Sequence, residues 1–408
     1  MRVLQINAVN KISSTGRTCL EMSEWLNRSG HECVTAFSKG ISVNPEREFR
    51  IGSAKDVKLH GLFSRLSGKQ GYFSFGATKE LLKFADAYEP DAVILRNLHG
   101  NYINLPMLLK YLADKDIPTV AVLHDCWFFT GKCCHYTVDG CYRWQENCGN
   151  CPSLKKYNVS WFFDRTPEML ADKKRLFGAI KHLGVVAVSD WLKGEAEKAP
   201  VFENAEVITR IYNWIDTETF RPLYDAELKK ELGLDGKKTI LFAAAGWSMN
   251  LGLKTALEIS EKLEGDERML LVGNLPEDIK TNGRVICLPT TDSVEKLVKL
   301  YSLADVFVQP SLEQTFGKVI AEAESCGTPA VCFKSTANPE LVGNGCGASV
   351  EAGDIDAMLS EIRKILADGK EKYSENCRNF VKANFEMDTN LKEYMKLLQK
   401  LCEEKNNG

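Results

Sequence analysis

A chain of 408 residues is longer than a single hydrophobic core usually grows, so two domains of roughly 200 residues each are expected. Its 44% hydrophobic and 26% charged residues are ordinary for a globular protein, and a net charge of −3 argues against nucleic acid as a partner. No apolar run approaches the roughly 18 residues of a membrane span. Residues 1–7 read as a strand rather than as a signal peptide, and fourteen cysteines without such a leader predict free thiols or metal ligands in a cytoplasmic, reducing compartment.

The chain then alternates. Residues 3–6 are the first predicted strand, followed by Ser13-Ser14-Thr15-Gly16, a helix to about Leu26 and a strand over 31–37. This order predicts a doubly wound α/β domain with Gly16 at a strand's carboxyl end, where such folds bind ligands; a turn that merely connects is the alternative. Between Arg47 and Lys69, six basic residues face two acidic ones, with Phe49, Leu59, Leu62, Phe63 and Leu66 among them. That mixture suits an anionic membrane surface or a phosphorylated acceptor, or else an exposed charged helix with a loop.

Strands over 91–95 and 119–123 deliver His99 and His124 just past their ends. Two imidazoles on the binding edge of a parallel sheet can donate to a sugar hydroxyl or a phosphate, or cap their loops. Residues 130–152 hold Cys133, Cys134, Cys141, Cys148 and Cys151, with His135 among them. Cys148-x2-Cys151 is half of a metal knuckle, and Cys133 with Cys141 could complete a tetrahedral zinc site. The spacing of 133 to 141 exceeds the usual two to four, so metal-free thiols or a disulfide stay open. A helix over 167–182, a strand over 185–189 and a short strand at Val207-Ile208 close this half, and 212–222 reads as a connection.

The second half restarts the alternation with strands over 239–243, 269–273 and 285–288, a turn over 246–254, and helices over 293–302, 354–368, 371–384 and 389–404. Its most informative stretch is 304–333. An apolar strand run over 304–309 meets Pro310-Ser311-Leu312-Glu313-Gln314-Thr315-Phe316-Gly317, then a helix ended by Gly327 and Pro329, then a second apolar run, 330–333. The helix start near Phe316 and Gly317 offers unpaired N–H groups to a diphosphate. Glu322, further along the same helix, could accept from sugar hydroxyls; a solvated glutamate beside an ordinary loop is the alternative.

Taken together, Asn97-Leu98-His99-Gly100, Leu123-His124-Asp125-Cys126-Trp127 through Gly131, the Gly140-Cys141 and Cys148-x2-Cys151-Pro152 pair, Tyr212-Asn213-Trp214-Ile215-Asp216 and Glu322-Ala323 before Cys326-Gly327-Thr328-Pro329 carry a resemblance. The chain resembles, over essentially its whole length, the retaining glycosyltransferases of family four, and within them a bacterial branch that builds capsular, exopolysaccharide or lipopolysaccharide chains. The resemblance implies the GT-B fold, two Rossmann-like domains facing a cleft: an N-terminal acceptor-side domain over 1–206, a nucleotide-sugar domain over 207–384, and a final helix over 385–408 crossing back to the first domain.

It further implies transfer of a sugar from a nucleotide-diphosphate donor to a hydroxyl of a saccharide or lipid-linked acceptor, with retained anomeric configuration, no catalytic metal, and a cytoplasmic location with peripheral contact at the inner membrane surface. In that reading Glu322 holds the donor ribose, His124 lies near the donor sugar, and Gly16, His99, Phe316, Gly317 and Lys318 lie along the nucleotide and diphosphate. The family's paired glutamates have seven residues between them, and here that spacing puts Gln314 opposite Glu322, with Glu313 one place early. The basic pair of the second domain's first turn falls on Trp247 or Ser248 and on Leu251, leaving Lys254 as the nearest cation, with Arg210 and Lys318 as substitutes. A non-catalytic partner in a polysaccharide assembly complex is the competing function.

Overall fold

Parallel strands covered on both faces explain why the strand runs read as unbroken apolar stretches rather than alternating ones. The computed structural model describes residues 1–248, 252–291 and 293–407. The chain divides into two units, residues 1–211 with 391–408, and residues 212–390.

The first unit contains β1 (Arg2–Asn10), α1 (Ser13–Arg28), β2 (Glu32–Gly40), β3 (Glu48–Arg50), α2 (Ala54–Ser67), α3 (Phe75–Tyr88), β4 (Ala92–Leu95), α4 (Leu105–Asp114), β5 (Thr119–Leu123), α5 (Thr166–Phe177), β6 (Leu183–Ala187), α6 (Asp190–Glu197) and β7 (Val207–Arg210). Its seven strands lie in the order β3-β2-β1-β4-β5-β6-β7, with parallel pairings throughout. The order reverses between β1 and β4, so the segments after their carboxyl ends flank the switch point where open α/β sheets take ligands.

The second unit contains α7 (Ala226–Glu231), β8 (Lys238–Gly246), α8 (Leu253–Glu261), β9 (Glu267–Asn274), β10 (Val285–Leu288), α9 (Val294–Leu303), β11 (Val306–Gln309), α10 (Lys318–Ser325), β12 (Ala330–Phe333), β13 (Gly347–Val350), α11 (Ile355–Asp368) and α12 (Glu371–Phe385). Its parallel sheet runs β10-β9-β8-β11-β12-β13, with the reversal between β8 and β11. Ile240, Phe242, Val306, Val308 and Val331 are buried between this sheet and the helices that carry Leu253, Ala256, Met358 and Ile362.

Helix α13 (Met387–Asn407) ends the chain, and residues 391–408 belong to the first unit. Gly184 in β6 makes that packing close: a Cβ there would lie 3.0 Å from Leu401 Cδ1.

The expected domain limits shift. β7 pairs with β6 from Gly184↔Val207 to Ala187↔Arg210, so the first unit extends past residue 206 to Ile211. At the other limit the second unit runs to Asn390 rather than 384, because the Ile215 amide donates to the Phe385 carbonyl over 2.7 Å and ties that helix end to the connection. Among the described residues no helix is long and apolar enough to cross a membrane.

Candidate functional site: two strand-end clusters

In the first unit, Gly16 lies inside the first turn of α1, not in the turn before it. The helix start presses on the preceding loop: a Cβ at Gly16 would stand 3.1 Å from Lys11 N and 3.2 Å from Asn10 C. The N-cap residue of α1, Ile12, supplies no side-chain cap, so amides of that turn remain for an anion.

Arg96, the residue after β4, is fully buried. Its guanidinium donates to Gln5 Oε1 at 2.9 Å and Thr18 Oγ1 at 3.3 Å, and lies 3.2 Å from His124 Nε2. A guanidinium only donates, so His124 Nε2 must accept, and the neutral ring carries its proton on Nδ1. The Arg96 contact therefore fixes the ring's tautomer.

His99 differs. Its Nε2 meets Asp125 Oδ2 at 2.6 Å, and Asp125 Oδ1 accepts from the Trp127 amide at 2.8 Å. Burial works against the His99 cation, yet the Asp125 charge and hydrogen bond outweigh it and raise the imidazole above its ordinary value. Burial likewise opposes the Asp125 carboxylate, but His99 and the Trp127 amide hold it down at about 2. Lys173 sits beneath, its Nζ 3.7 Å from the Trp127 ring centroid and donating to the Trp127 and Thr130 carbonyls at 2.5 and 2.9 Å. Burial pulls that ammonium down to about 7. His99 is thus partly committed to Asp125.

In the second unit, the two turns at the switch point converge. Gly252 at the start of α8 has φ +88°, and a Cβ on it would lie 2.6 Å from Pro310 Cγ. Gly317 occupies the N-cap of α10 in the left-handed region (φ +74°) with no side-chain cap; the Ile320 amide of the first turn donates to the Gly317 carbonyl at 2.9 Å, and the positive end of the helix dipole faces the turn. Gln314 lies beside it, its Cβ 4.0 Å from where a Gly317 Cβ would be. The Gln314 amide nitrogen donates to Thr336 Oγ1 at 2.9 Å and that of Glu313 to Ser311 Oγ at 3.3 Å, which sets the turn.

Phe316 is buried against Tyr212 and Phe385, with centroids at 5.9 and 5.4 Å, so its backbone is what it can offer a ligand. Lys318 is also buried. Glu322 is 1% exposed and accepts from the Tyr301 hydroxyl at 3.1 Å, which occupies one of its oxygens. Tyr301 was invisible as a site residue, since nothing in the α9 sequence marks it.

The cation positions are less favourable. Trp247 cannot stand for a basic residue: its indole is buried and donates to the Val272 carbonyl at 3.0 Å. Leu251 lies outside the described residues. Lys254, in the first turn of α8, is 71% exposed and 3.7 Å from Glu258. In the first unit, Arg210 donates to Asp190 Oδ1 at 3.3 Å.

The cysteine loop draws Cys133, Cys141, Cys148 and Cys151 around one cavity of about 20 Å³, which Lys132, Trp144 and Thr166 also line. The hydrogen bond from Cys133 is the main cause that pulls the Cys151 thiol down, to about 7, and burial pushes Cys148 up to about 11. Among the described residues, the sets of three ligand atoms within 4.8 Å of one another are His99–Asp125–Cys134 and Glu324–Cys346–Cys377. The loop sulfurs share a cavity without converging to that distance.

Helix α2 is packed inside out. Its buried residues are His60, Gly61 and Ser64, while Leu59, Leu62, Phe63 and Leu66, at i, i+3, i+4 and i+7, face outward. Trp161, Phe162 and Phe163 extend this apolar surface, 42%, 66% and 51% exposed. The Trp161 amide donates to the Arg65 carbonyl at 2.8 Å, and Gly68 (φ +77°) leaves space for the Phe163 carbonyl, which a Cβ would meet at 2.4 Å. Lys55, Lys58 and Arg65 are exposed on the same helix.

Residues 15–219 match the family model described as Glycosyltransferase Family 4, and residues 237–368 that described as Glycosyl transferases group 1. The chain is 26% identical over 246 residues to the N-acetyl-alpha-D-glucosaminyl L-malate synthase of Bacillus anthracis, covering 57% of this chain and 63% of that protein, so it spans just under two thirds of this relative's length. To the putative colanic acid biosynthesis glycosyl transferase WcaC of Escherichia coli it is 25% identical over 317 residues, 75% of this chain and 74% of that one. The solved structure of Anabaena HepE in complex with UDP shares the fold at a TM-score of 0.66 and 16% identity, covering 98% of this chain and 100% of that one. The GT-B architecture is therefore present, and with the first family model spanning half of its length, the chain belongs to glycosyltransferase family four.

Proposed function

We propose that this protein is a retaining glycosyltransferase that moves a sugar from a nucleotide-diphosphate donor to a hydroxyl of a saccharide or lipid-linked acceptor in polysaccharide synthesis. The observation that carries the reading is the uncapped start of α10 behind left-handed Gly317, with Glu322 held by Tyr301 on the same helix. As the glycosidic bond breaks, charge accumulates on the departing diphosphate, and preorganised amides with the helix dipole stabilise it where it develops. Glu322, positioned by Tyr301, is the residue proposed to meet a ribose hydroxyl. His124, oriented by Arg96, is proposed to lie near the donor sugar. In the retaining reaction proposed, the donor's own phosphate oxygen takes the acceptor proton, so no protein base is required.

The acceptor-side expectation rests on the inverted α2. An outward apolar stripe with three aromatic neighbours and exposed lysine and arginine on one helix suits an anionic bilayer surface, which brings the chain to a lipid-linked acceptor. A zinc ion held by Cys133, Cys141, Cys148 and Cys151 would staple the cysteine loop; one equivalent of zinc fewer in the Cys148→Ser/Cys151→Ser variant is the expected result, and equal zinc in both proteins contradicts it.

Incubation with a panel of nucleotide sugars and lipid-linked saccharides, scored by nucleoside diphosphate release, tests the activity. Acceptor-dependent release and a product with the donor's anomeric configuration are expected. Gln314 in place of a glutamate and the exposed Lys254 favour the second reading, a non-catalytic partner in a polysaccharide assembly complex. Nucleoside diphosphate binding without release from any pair would support that reading instead.

A further inference from the structure

Two residues beyond Glu322, on the buried side of α10, Glu324 is fully buried, and neither of its carboxyl oxygens has a hydrogen-bond partner. An isolated carboxylate in such a place is costly, and protonating it leaves an O–H with no acceptor. Two other groups face it. Cys346, just before β13, and Cys377, in α12, are both buried free thiols, and one oxygen of Glu324 and both sulfurs lie within 4.8 Å of one another. The Cys377 thiol also lies 3.6 Å from the Cys346 carbonyl.

We propose that Glu324, Cys346 and Cys377 form a binding site for a borderline divalent cation of the zinc class. Two thiolates with one carboxylate are a donor set that a zinc-type ion accepts, with metal–sulfur distances of about 2.3 Å and metal–oxygen distances of about 2.0–2.2 Å. Ligand atoms already within 4.8 Å need only small side-chain adjustments to meet one ion. Binding releases three protons to solvent, two from the thiols and one from the Glu324 carboxyl, so that two thiolates balance the ion's charge and the carboxylate is a third anionic ligand. Burial holds Glu324 well above the usual carboxylate range without a metal, a cost that ligation removes. The ion ties α10, the segment before β13 and α12 to one point, so the helix that bears Glu322 is anchored from behind.

The site is independent of the proposed transfer reaction, and its test does not read activity. Crystals of the full chain grown with zinc and measured on both sides of the zinc absorption edge should show an anomalous peak bonded to all three side chains. Absence of that peak, or a Cys346–Cys377 disulfide, overturns the proposal. In solution, the chelator-stripped chain is titrated with Co2+ alone and compared with Glu324→Gln, a near-isosteric change, each checked by circular dichroism. The variant should bind one equivalent fewer, with part of the thiolate-to-cobalt charge-transfer absorption lost. Equal stoichiometry and absorption in two equally folded proteins also overturn it.

Discussion

Arg96 points its guanidinium at Nε2 of His124 over 3.2 Å, and this contact fixes which face of the imidazole can donate. Replacing Arg96 with Met removes the donor and frees the ring to exchange tautomers. Nitrogen-15 spectra of the native protein should show His124 as a single Nδ1–H tautomer, and Arg96→Met a mixture. Because a guanidinium hydrogen bond and its buried network are lost together, a destabilisation of about 1.5–3 kcal/mol is also expected from chemical denaturation.

The His99–Asp125 pair predicts a pH window. Asp125 falls from an ordinary 3.8 to about 2 on folding, so its contribution is present above pH 3.8 and lost as pH falls toward 2. His99 is raised above 6.5, so its contribution is complete below 6.5 and lost as pH rises through the folded value. The stability difference between the native chain and Asp125→Asn should therefore peak between these limits, at about 1.5–3 kcal/mol for a charged hydrogen bond, and shrink on both sides. A difference independent of pH would show that the pair is not ionised.

Gly317 tests the donor turn. A Cβ there meets nothing closer than Ile320 Cδ1 at 3.5 Å, so Gly317→Ala is not a steric clash but a left-handed strain at φ +74°. The expected cost is about 1–2 kcal/mol in thermal or denaturant unfolding. Relaxation of the turn should also weaken nucleoside diphosphate binding while leaving the His99 and His124 spectra unchanged.

The inverted α2 predicts membrane adsorption. Co-sedimentation with vesicles containing phosphatidylglycerol should be strong at low salt and fall as salt screens the lysines and arginines. Phe162→Asp and Phe63→Asp, both at outward positions, should abolish it without lowering the melting temperature. Equal sedimentation with neutral vesicles would argue against an anionic surface.

Much of this was legible because parallel strands buried on both faces write themselves as apolar runs, and the glycine turn at 310–317 marked the step from β11 to α10 at the second unit's switch point. The rest depends on distant residues meeting. His124 and Arg96 come together because β4 and β5 are neighbours, and Glu322 meets Tyr301 through the packing of α10 beside α9. The spacing of Leu59, Leu62, Phe63 and Leu66 gave a helical stripe but not its direction, which only the burial of His60, Gly61 and Ser64 reveals. Strand β3 was missed because three residues at a sheet edge, two of them charged, carry no apolar run.

The central claim is that the second unit holds a nucleoside diphosphate at the start of α10 with Glu322 on its ribose. Calorimetric titration of uridine, guanosine and adenosine diphosphates into the native chain and into Glu322→Gln tests it most directly. One of them should bind with one site per chain and weaken about ten- to hundredfold in the variant, the loss equivalent to one charged hydrogen bond. Equal affinity in both proteins, or no binding of any nucleoside diphosphate to the native chain, contradicts the account.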